Sequence, residues 1–121
     1  MQVLVVGGGK VGYFLAGLLV AEGHQVRLIE KRQEQLPTLR HDLPTQVVFF
    51  GDGADPTVLE SAGVRMANVV AAVTGDDETN LVVATLARFE FGVPRTIARV
   101  NNPKNAWLFT PHMGVDVGLN Q

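Results

Sequence analysis

A cluster of glycines near the N-terminus has the spacing that brings a phosphate group close to backbone N–H groups. Gly7, Gly9 and Gly12 form the pattern G-x-G-x-x-G directly after the apolar run at residues 3–6. The first glycine permits a tight turn, the second leaves room for a pyrophosphate, and the third lets a helix lie close to the preceding strand. A helix that starts here directs free N–H groups and the positive end of its dipole at the same anion. The motif therefore predicts a dinucleotide-binding turn.

An acidic residue at a suitable distance strengthens this interpretation. Glu30 lies 18 residues after Gly12, at the end of a second apolar run at residues 26–29. In dinucleotide-binding folds a carboxylate about 20 residues beyond the glycines binds the adenosine ribose and repels a 2′-phosphate. We therefore expect NAD to bind in preference to NADP, although the adjacent Lys31 and Arg32 could accept that phosphate. A plain βαβ unit, in which the glycines serve packing alone, is the alternative.

Six apolar segments separated by helical patterns predict the elements that position these residues. The segments are residues 3–6, 26–29, 46–50, 68–73, 96–100 and 114–119. Strands that alternate with helices imply an α/β, Rossmann-like, doubly wound parallel sheet, and right-handed crossovers give its six strands the order 3-2-1-4-5-6. The length of 121 residues suits one domain, so we expect residues 1–121 to form a single nucleotide-binding unit.

The apolar residues of the predicted helices indicate which sides pack against the sheet and which form an interface. The first helix has five apolar residues at helical spacing, all of which are expected to face the sheet. These residues are Val11, Phe14, Leu15, Leu18 and Leu19. The helix predicted at residues 77–91 is apolar on more than one side, and a further helix after residue 102 carries Trp107, Leu108 and Phe109. An apolar surface of this kind marks an association site, so we expect a homodimer.

Composition excludes several classes of function. The net charge is -2 and the chain has no basic run, which argues against binding to nucleic acid. There are no cysteines, so disulfides and thiolate metal sites are excluded, and the three histidines lack ligand spacing. No apolar run approaches the ~20 residues of a membrane span. We therefore expect a cytoplasmic chain without metal and without direct insertion into a membrane.

In a doubly wound sheet the ligand lies beyond the carboxyl ends of the strands, where the strand order reverses. The five loops at that edge supply the predicted binding residues, which are Gly7, Gly9, Lys10, Val11, Gly12, Glu30, Lys31, Asp52, Gly53, Ala54, Thr74, Gly75, Asp76, Asp77 and Arg99. Some have a structural alternative: Asp52 suits a turn, while Asp76 and Asp77 favour a helix N-terminus with or without ligand. Arg99 stands in an apolar strand, where its charge needs either an acid or a phosphate.

Several of these segments resemble a known family. The glycine motif with Lys10 and the segments at residues 23–26, 29–31, 51–56, 72–81, 98–103 and 114–116 are similar to the KTN domain. This domain is the N-terminal nucleotide-binding half of Trk, Ktr and RCK regulators of potassium transport, also called the TrkA-N domain. The resemblance covers essentially the whole chain. The segments at residues 72–81 and 98–103 are the most specific, because a generic dinucleotide fold does not require them.

The resemblance implies a regulatory subunit or domain rather than an enzyme. It implies a ligand that is NAD(H), ATP, ADP or AMP, and dimers that assemble into a ring. It also implies a membrane-embedded potassium channel or transporter as partner, at the inner face of the cell membrane, with gating by conformational change. Two features depart from the family pattern. Lys10 stands where arginine is frequent, and the C-terminal ligand-binding domain of many members is absent, as expected for a fragment or a short variant.

The cofactor-binding domain of an NAD-dependent dehydrogenase is the alternative function. Such an enzyme needs a substrate domain and a proton-transfer residue beside the nicotinamide, and 121 residues accommodate only the cofactor half. Apart from Lys104, no histidine or lysine has an evident place at the carboxyl ends of strands 4 to 6. We therefore predict no catalytic residue and expect no hydride transfer by the purified chain.

Overall fold

The computed structural model describes residues 1–120 and contains one six-stranded sheet in the order β3-β2-β1-β4-β5-β6. The strands are β1 Gln2–Val6, β2 Gln25–Glu30, β3 Val48–Phe50, β4 Val69–Ala72, β5 Arg95–Val100 and β6 Val117–Asn120. All neighbouring strands are parallel, with Val5 of β1 opposite both Leu28 and Ala71. The predicted α/β class and strand order are confirmed. The order reverses between β1 and β4, which places the crevice between their carboxyl ends.

Four α-helices connect the strands. They are α1 Lys10–Ala21, α2 Leu36–Asp42, α3 Pro56–Ser61 and α4 Asp77–Thr85. A π-helical turn at Leu86–Glu90 extends α4, so that helical backbone covers nearly all of the predicted range 77–91. Short 3₁₀ helices lie at Gln33–Gln35, Thr45–Val47, Val64–Met66, Pro103–Leu108 and Pro111–Met113.

The ends of two strands differ from the prediction. Residues 45–47 form a 3₁₀ turn in which the Val47 N–H donates to the Pro44 carbonyl, so β3 starts two residues later than expected. Residue 114 is the left-handed Gly114, with φ of 92°, which turns the chain before β6 begins at Val117. In both places a proline-initiated turn occupies residues whose apolar character resembles that of a strand.

Apolar side chains cover both faces of the sheet. Leu4 and Val5 are successive residues of β1, yet they belong to different core layers because side chains alternate across a strand. Val5 packs in the layer that includes Leu39 of α2, and Leu4 packs in the layer that includes Leu59 of α3. The sheet is therefore doubly wound, with α1 and α2 on one face and α3 and α4 on the other.

The first helix does not bury the whole apolar stripe that its sequence suggests. Phe14 is 70% exposed and Leu18 is 48% exposed, so the prediction for these two residues was wrong. The buried residues of α1 are Gly12 and Ala16. Because these residues are small, the helix approaches β1 closely along their side. Val11, Leu15 and Leu19 are partly buried against the same core layer, whereas Phe14 and Leu18 point to solvent.

The surface on the α4 side of the sheet carries exposed apolar groups. Trp107 is 74% exposed and Phe89 is 62% exposed, in agreement with the apolar surface predicted there. Phe109, in contrast, is only 8% exposed and belongs to the core. Within residues 1–120 no helix combines the length and hydropathy needed to cross a bilayer.

Gly12 and Gly17 allow a matched test of the packing of α1. A Cβ at Gly12 would overlap the Gly7 carbonyl oxygen and lie 2.8 Å from its carbon, whereas a Cβ at Gly17 would approach only Leu43, at 3.9 Å. We expect Gly12→Ala to lower the free energy of unfolding by about 2–3 kcal/mol through overpacking. Gly17→Ala should raise it by about 0.5–1 kcal/mol through helix propensity. Urea denaturation measures both changes, and equal midpoints would contradict this account of the contact.

Candidate nucleotide-binding site

A cavity of about 370 Å³ opens at the carboxyl edge of the sheet, a volume within the usual range for a ligand site. It is lined by many of the residues predicted to bind a ligand, namely Gly7, Gly9, Glu30, Lys31, Gly53, Thr74, Gly75, Asp76 and Arg99. The structure adds four residues that the sequence did not single out, namely Val6, Ile29, Val73 and Thr79, and it adds Arg32, which the sequence suggested only as a possible contact for a 2′-phosphate. The loops after β1, β2, β3, β4 and β5 therefore meet at one place.

The remaining predicted residues lie outside the cavity lining. They are Lys10, Val11, Gly12, Asp52, Ala54 and Asp77. Lys10 and Val11 begin α1, with Lys10 exposed, and Gly12 packs against the turn at Gly7. The Asp52 carboxylate accepts from the Ala54 N–H at 2.9 Å, which is a turn contact. A direct role in ligand binding for these six residues stays a prediction.

The glycine turn joins β1 to α1 and leaves its outer side open. Gly7 has φ of 113°, and a Cβ there would lie 2.9 Å from the Thr74 nitrogen, so a side chain is excluded for two reasons. Gly9 is the N-cap residue of α1 and has no side chain to cap the first-turn N–H groups. A Cβ at Gly9 would contact only Arg32 Nη2, at 3.6 Å. This opening is where an anion can reach the helix N-terminus.

Glu30 lies at the end of β2 with only 3% of its surface exposed. Its carboxylate accepts from the Gly8 N–H at 2.8 Å and from the Arg32 N–H at 2.7 Å. The Arg32 guanidinium donates to both carboxylate oxygens, through Nη2 at 3.0 Å and Nε at 3.1 Å. Burial raises the pKa of Glu30, but the hydrogen bonds from Arg32 and Gly8 outweigh it and hold the pKa below its usual value. The group is therefore an ionised acceptor at neutral pH.

Asn80 connects the loop after β4 to the end of β5. It is fully buried, and its Nδ2 donates to the Thr74 and Arg99 carbonyls, each at 3.0 Å. Its Oδ1 accepts from the Thr74 hydroxyl at 2.6 Å and from the Thr74 N–H at 3.0 Å. Asn80 was not among the residues predicted to bind a ligand, although an amide just before the apolar residues 81–84 of α4 is a usable signal.

Asp77 serves the neighbouring loop rather than the cavity. Its carboxylate accepts from the Asn101 N–H at 2.6 Å, the Asn102 N–H at 2.9 Å and Asn105 Nδ2 at 2.8 Å. Burial raises the pKa of Asp77, and these bonds more than offset that effect, so that the pKa lies below its usual value. The two segments most specific to the family resemblance, residues 72–81 and 98–103, are thus hydrogen-bonded to each other.

Arg99 has a buried donor at the cavity wall. Its Nε is inaccessible to solvent and has no hydrogen-bond partner among residues 1–120. Nor does Arg99 form an ion pair with Asp76 or Asp77 within the part of the chain that the structure describes. A buried donor without an acceptor costs about 1–3 kcal/mol, so this Nε is an unfavourable feature of the chain by itself. The acid predicted as one partner of Arg99 is not within ion-pair distance among residues 1–120, and the phosphate stays a prediction.

No group of three acidic or histidine side chains in residues 1–120 is arranged to hold a metal ion. The residues that are present fit a nucleotide instead. Three features lie around one cavity. They are an open glycine turn at a helix N-terminus, an ionised carboxylate at the end of the second strand, and an arginine with a donor that has no partner among residues 1–120. These are the groups required by a phosphate, a ribose and a further phosphate, respectively.

Comparison with known sequences identifies close relatives. The chain is 42% identical over 120 residues to the Trk system potassium uptake protein TrkA of Mycobacterium tuberculosis, covering 99% of this chain and 54% of that protein. It is 40% identical over 116 residues to the TrkA homolog of Methanothermobacter thermautotrophicus, covering 96% of this chain and 52% of that protein. The chain thus spans about half the length of the curated relatives it matches.

Solved structures share the fold. The RCK domain of GsuK superposes with a TM-score of 0.82 at 24% identity, covering 98% of this chain and 25% of that one. The TrkA-N domain of the Escherichia coli inner membrane protein YbaL superposes with a TM-score of 0.83 at 21% identity, covering 98% of this chain and 86% of that one. A structure of the GsuK channel bound to NAD gives a TM-score of 0.82 at 24% identity, covering 98% of this chain and 20% of that channel.

The chain also matches a family model. The model described as the TrkA-N domain matches residues 3–121, which is nearly the whole sequence. The expected resemblance to this family is confirmed by that match and by relatives with up to 42% identity. The chain therefore belongs to the TrkA-N domain family.

Proposed function

We propose that this chain is the nucleotide-sensing part of a potassium-transport regulator. Its residues 1–121 act as one nucleotide-binding domain that takes NAD(H) or an adenine nucleotide such as ATP, ADP or AMP. The domain works in the cytoplasm, at the inner face of the membrane, on a membrane-embedded potassium channel or transporter. The names of the relatives support the transport context. The observation that carries the ligand class is the cavity at the carboxyl edge of the sheet, which is lined by the open turn at Gly9, by Glu30 and by Arg99.

Each part of the cavity has a separate task in this function. The turn from Gly7 to Gly9 and the first turn of α1 hold a phosphate through N–H groups. Glu30 accepts from the adenosine ribose, and its charge disfavours a 2′-phosphate, so NAD binds in preference to NADP. Arg99 binds a second phosphate. A ligand with an adenosine ribose and at least two phosphates therefore uses all three features.

Binding changes the protein surface through the loops that contact the ligand. Thr74 lines the cavity and is fixed by Asn80, which also holds the Arg99 carbonyl. The adjacent Asp77 holds the loop that leads into the helix Pro103–Leu108, which carries the exposed Trp107. A displacement of the Thr74 loop thus changes the position of the exposed Trp107 through these hydrogen bonds. In a dimer or ring, this change alters the contact with the neighbouring copy.

The dehydrogenase alternative finds little support in the cavity. Hydrogen bonds from the Thr79 hydroxyl and N–H lower the pKa of Asp76, and those from Arg32 and Gly8 hold the pKa of Glu30 low despite its burial. Neither carboxylate is therefore matched to proton transfer at neutral pH. Lys104 is exposed and outside the cavity lining. A regulatory module is the function that these groups favour.

Substitution of Gly9 tests the position of the phosphate site. Gly9→Val leaves the fold intact because φ at Gly9 is -74°, and its new Cβ meets only Arg32 Nη2, at 3.6 Å. The side chain would project into the opening, so we expect calorimetric Kd values for NAD and ATP to rise at least about tenfold, or 1.4 kcal/mol. Gly17→Val, on the same helix but away from the cavity, is the matched control. A Gly9→Val protein that binds every adenine nucleotide like wild type would place the phosphate site elsewhere.

The oligomeric state tests the apolar surface. We expect light scattering to give twice the chain mass of 13.0 kDa at high concentration, because the exposed Trp107 and Phe89 are covered in a two-fold pair. Trp107→Glu should give a monomer. Phe14→Glu, which changes an equally exposed aromatic residue on the opposite face of the sheet, should leave the dimer unchanged. A monomer mass for the wild-type chain at high concentration would contradict the proposed dimer.

Arg99 tests the link between the ligand and that surface. We expect Arg99→Ala to weaken binding of NAD and ATP by about ten- to 100-fold, since a charge-assisted bond to phosphate contributes about 1.5–3 kcal/mol. Nucleotide should also change the dimer dissociation constant of wild type but not of Arg99→Ala. Arg95→Ala, at the exposed start of the same strand, is the control. Unchanged affinity together with unchanged dimer strength in Arg99→Ala would show that Arg99 has only a local role.

A further inference from the structure

The acceptor positions of Glu30 are all used by protein donors. Oε1 accepts from the Gly8 N–H and from Arg32 Nη2, at 2.8 and 3.0 Å. Oε2 accepts from the Arg32 N–H and from Arg32 Nε, at 2.7 and 3.1 Å. An ionised carboxylate offers about four lone-pair sites. Ribose hydroxyls that donate to Glu30 must therefore replace one or more of these donors.

The four donors are not equally replaceable. The N–H groups of Gly8 and Arg32 belong to the backbone of the glycine turn and of the residues after β2, and they are fixed by the fold. The guanidinium is carried by a flexible side chain that is 46% exposed. The guanidinium can turn into solvent without any change in the backbone, whereas the two N–H groups cannot, so the guanidinium is the group that a ligand displaces.

The guanidinium also lies where a ligand enters. Nη2 is 3.6 Å from the position of a Cβ on Gly9, and Arg32 lines the cavity together with Glu30 and Gly9. The side chain therefore spans the wall between the ribose acceptor and the phosphate turn. It presents two N–H donors to Glu30 in the arrangement that a ribose 2′,3′-diol would present with its two O–H donors.

We propose that Arg32 is a specificity-determining residue that competes with the ribose hydroxyls for Glu30. This inference rests on the proposed binding of an adenine nucleotide in the cavity. Arg32 lowers the affinity for a ligand with an intact ribose diol, because that ligand must displace the guanidinium. A ligand without the 2′-hydroxyl displaces less of it and gains less from Glu30. Arg32 thus reduces the preference for ribonucleotides over 2′-deoxynucleotides that Glu30 would otherwise provide.

The test is a ratio of affinities for two ligands of equal charge. Calorimetry gives Kd for ATP and for 2′-deoxy-ATP, and the ratio of the second to the first measures recognition of the 2′-hydroxyl. Loss of a positive charge in Arg32→Ala affects both ligands through their phosphates and cancels in the ratio. We expect the ratio to rise about two- to fivefold in Arg32→Ala, the range that corresponds to an exposed ion pair.

Two further variants keep the result interpretable. Arg32→Met retains the apolar stem without the donors and should raise the ratio like Arg32→Ala, which provides for the case that the alanine variant folds poorly. Arg40→Ala removes the same charge from an exposed position of α2 and should leave the ratio at the wild-type value. A wild-type chain that binds neither ATP nor NAD overturns the proposed function and this inference with it. ATP binding with an unchanged ratio in both Arg32 variants overturns only the role of Arg32.

Discussion

The contact between Gly12 and the backbone of Gly7 fixes the geometry of the whole site. No Cβ fits between α1 and the carbonyl group of Gly7. The start of the helix is consequently held against the carboxyl end of β1, and its uncapped N–H groups open beside Glu30 and the Thr74 loop. The same close approach determines which side of α1 is buried, and it leaves Phe14 in solvent. A steric constraint at one glycine therefore positions both an anion site and an exposed apolar surface.

Glu30 at the cavity and Asp77 outside its lining differ in the donors that bind their carboxylates. Glu30 receives donors from the backbone of Gly8 and Arg32 and from the half-exposed Arg32 guanidinium, which is the donor that a ligand replaces in our proposal. The donors to Asp77 belong to Asn101, Asn102 and Asn105, all on the loop and helix that follow β5, and they make Asp77 a clamp. Both carboxylates have a lowered pKa despite burial. Glu30 and Asp77 carry the same charge, so it is the kind of hydrogen-bond donor that distinguishes the two carboxylates.

Sequence reasoning predicted the features that depend on chain direction and spacing. The strand order followed from alternation and handedness, and the places of Gly9 and Glu30 followed from a fixed separation along a βαβ unit. It was wrong about Phe14 and Leu18, because hydrophobicity does not reveal that a helix packs through its small residues. The pairing of Arg32 with Glu30 depends on a side-chain conformation, and the clamp at Asp77 joins residues about 25 positions apart. Neither follows from a local pattern.

Arg99 is the residue through which the proposed function connects the cavity to the loops beside it. A purely structural arginine in β5 would have an acid within reach, yet Nε is buried without a partner among residues 1–120. The carbonyl of the same residue is held by Asn80, which also holds Thr74. In the proposed function, a phosphate bound by the guanidinium acts on a strand whose backbone is bonded to the Thr74 loop and continues into the loop held by Asp77. In that proposal, ligand binding and the position of the exposed Trp107 depend on the same residue, because the side chain of Arg99 lies at the cavity and its backbone is hydrogen-bonded to Asn80.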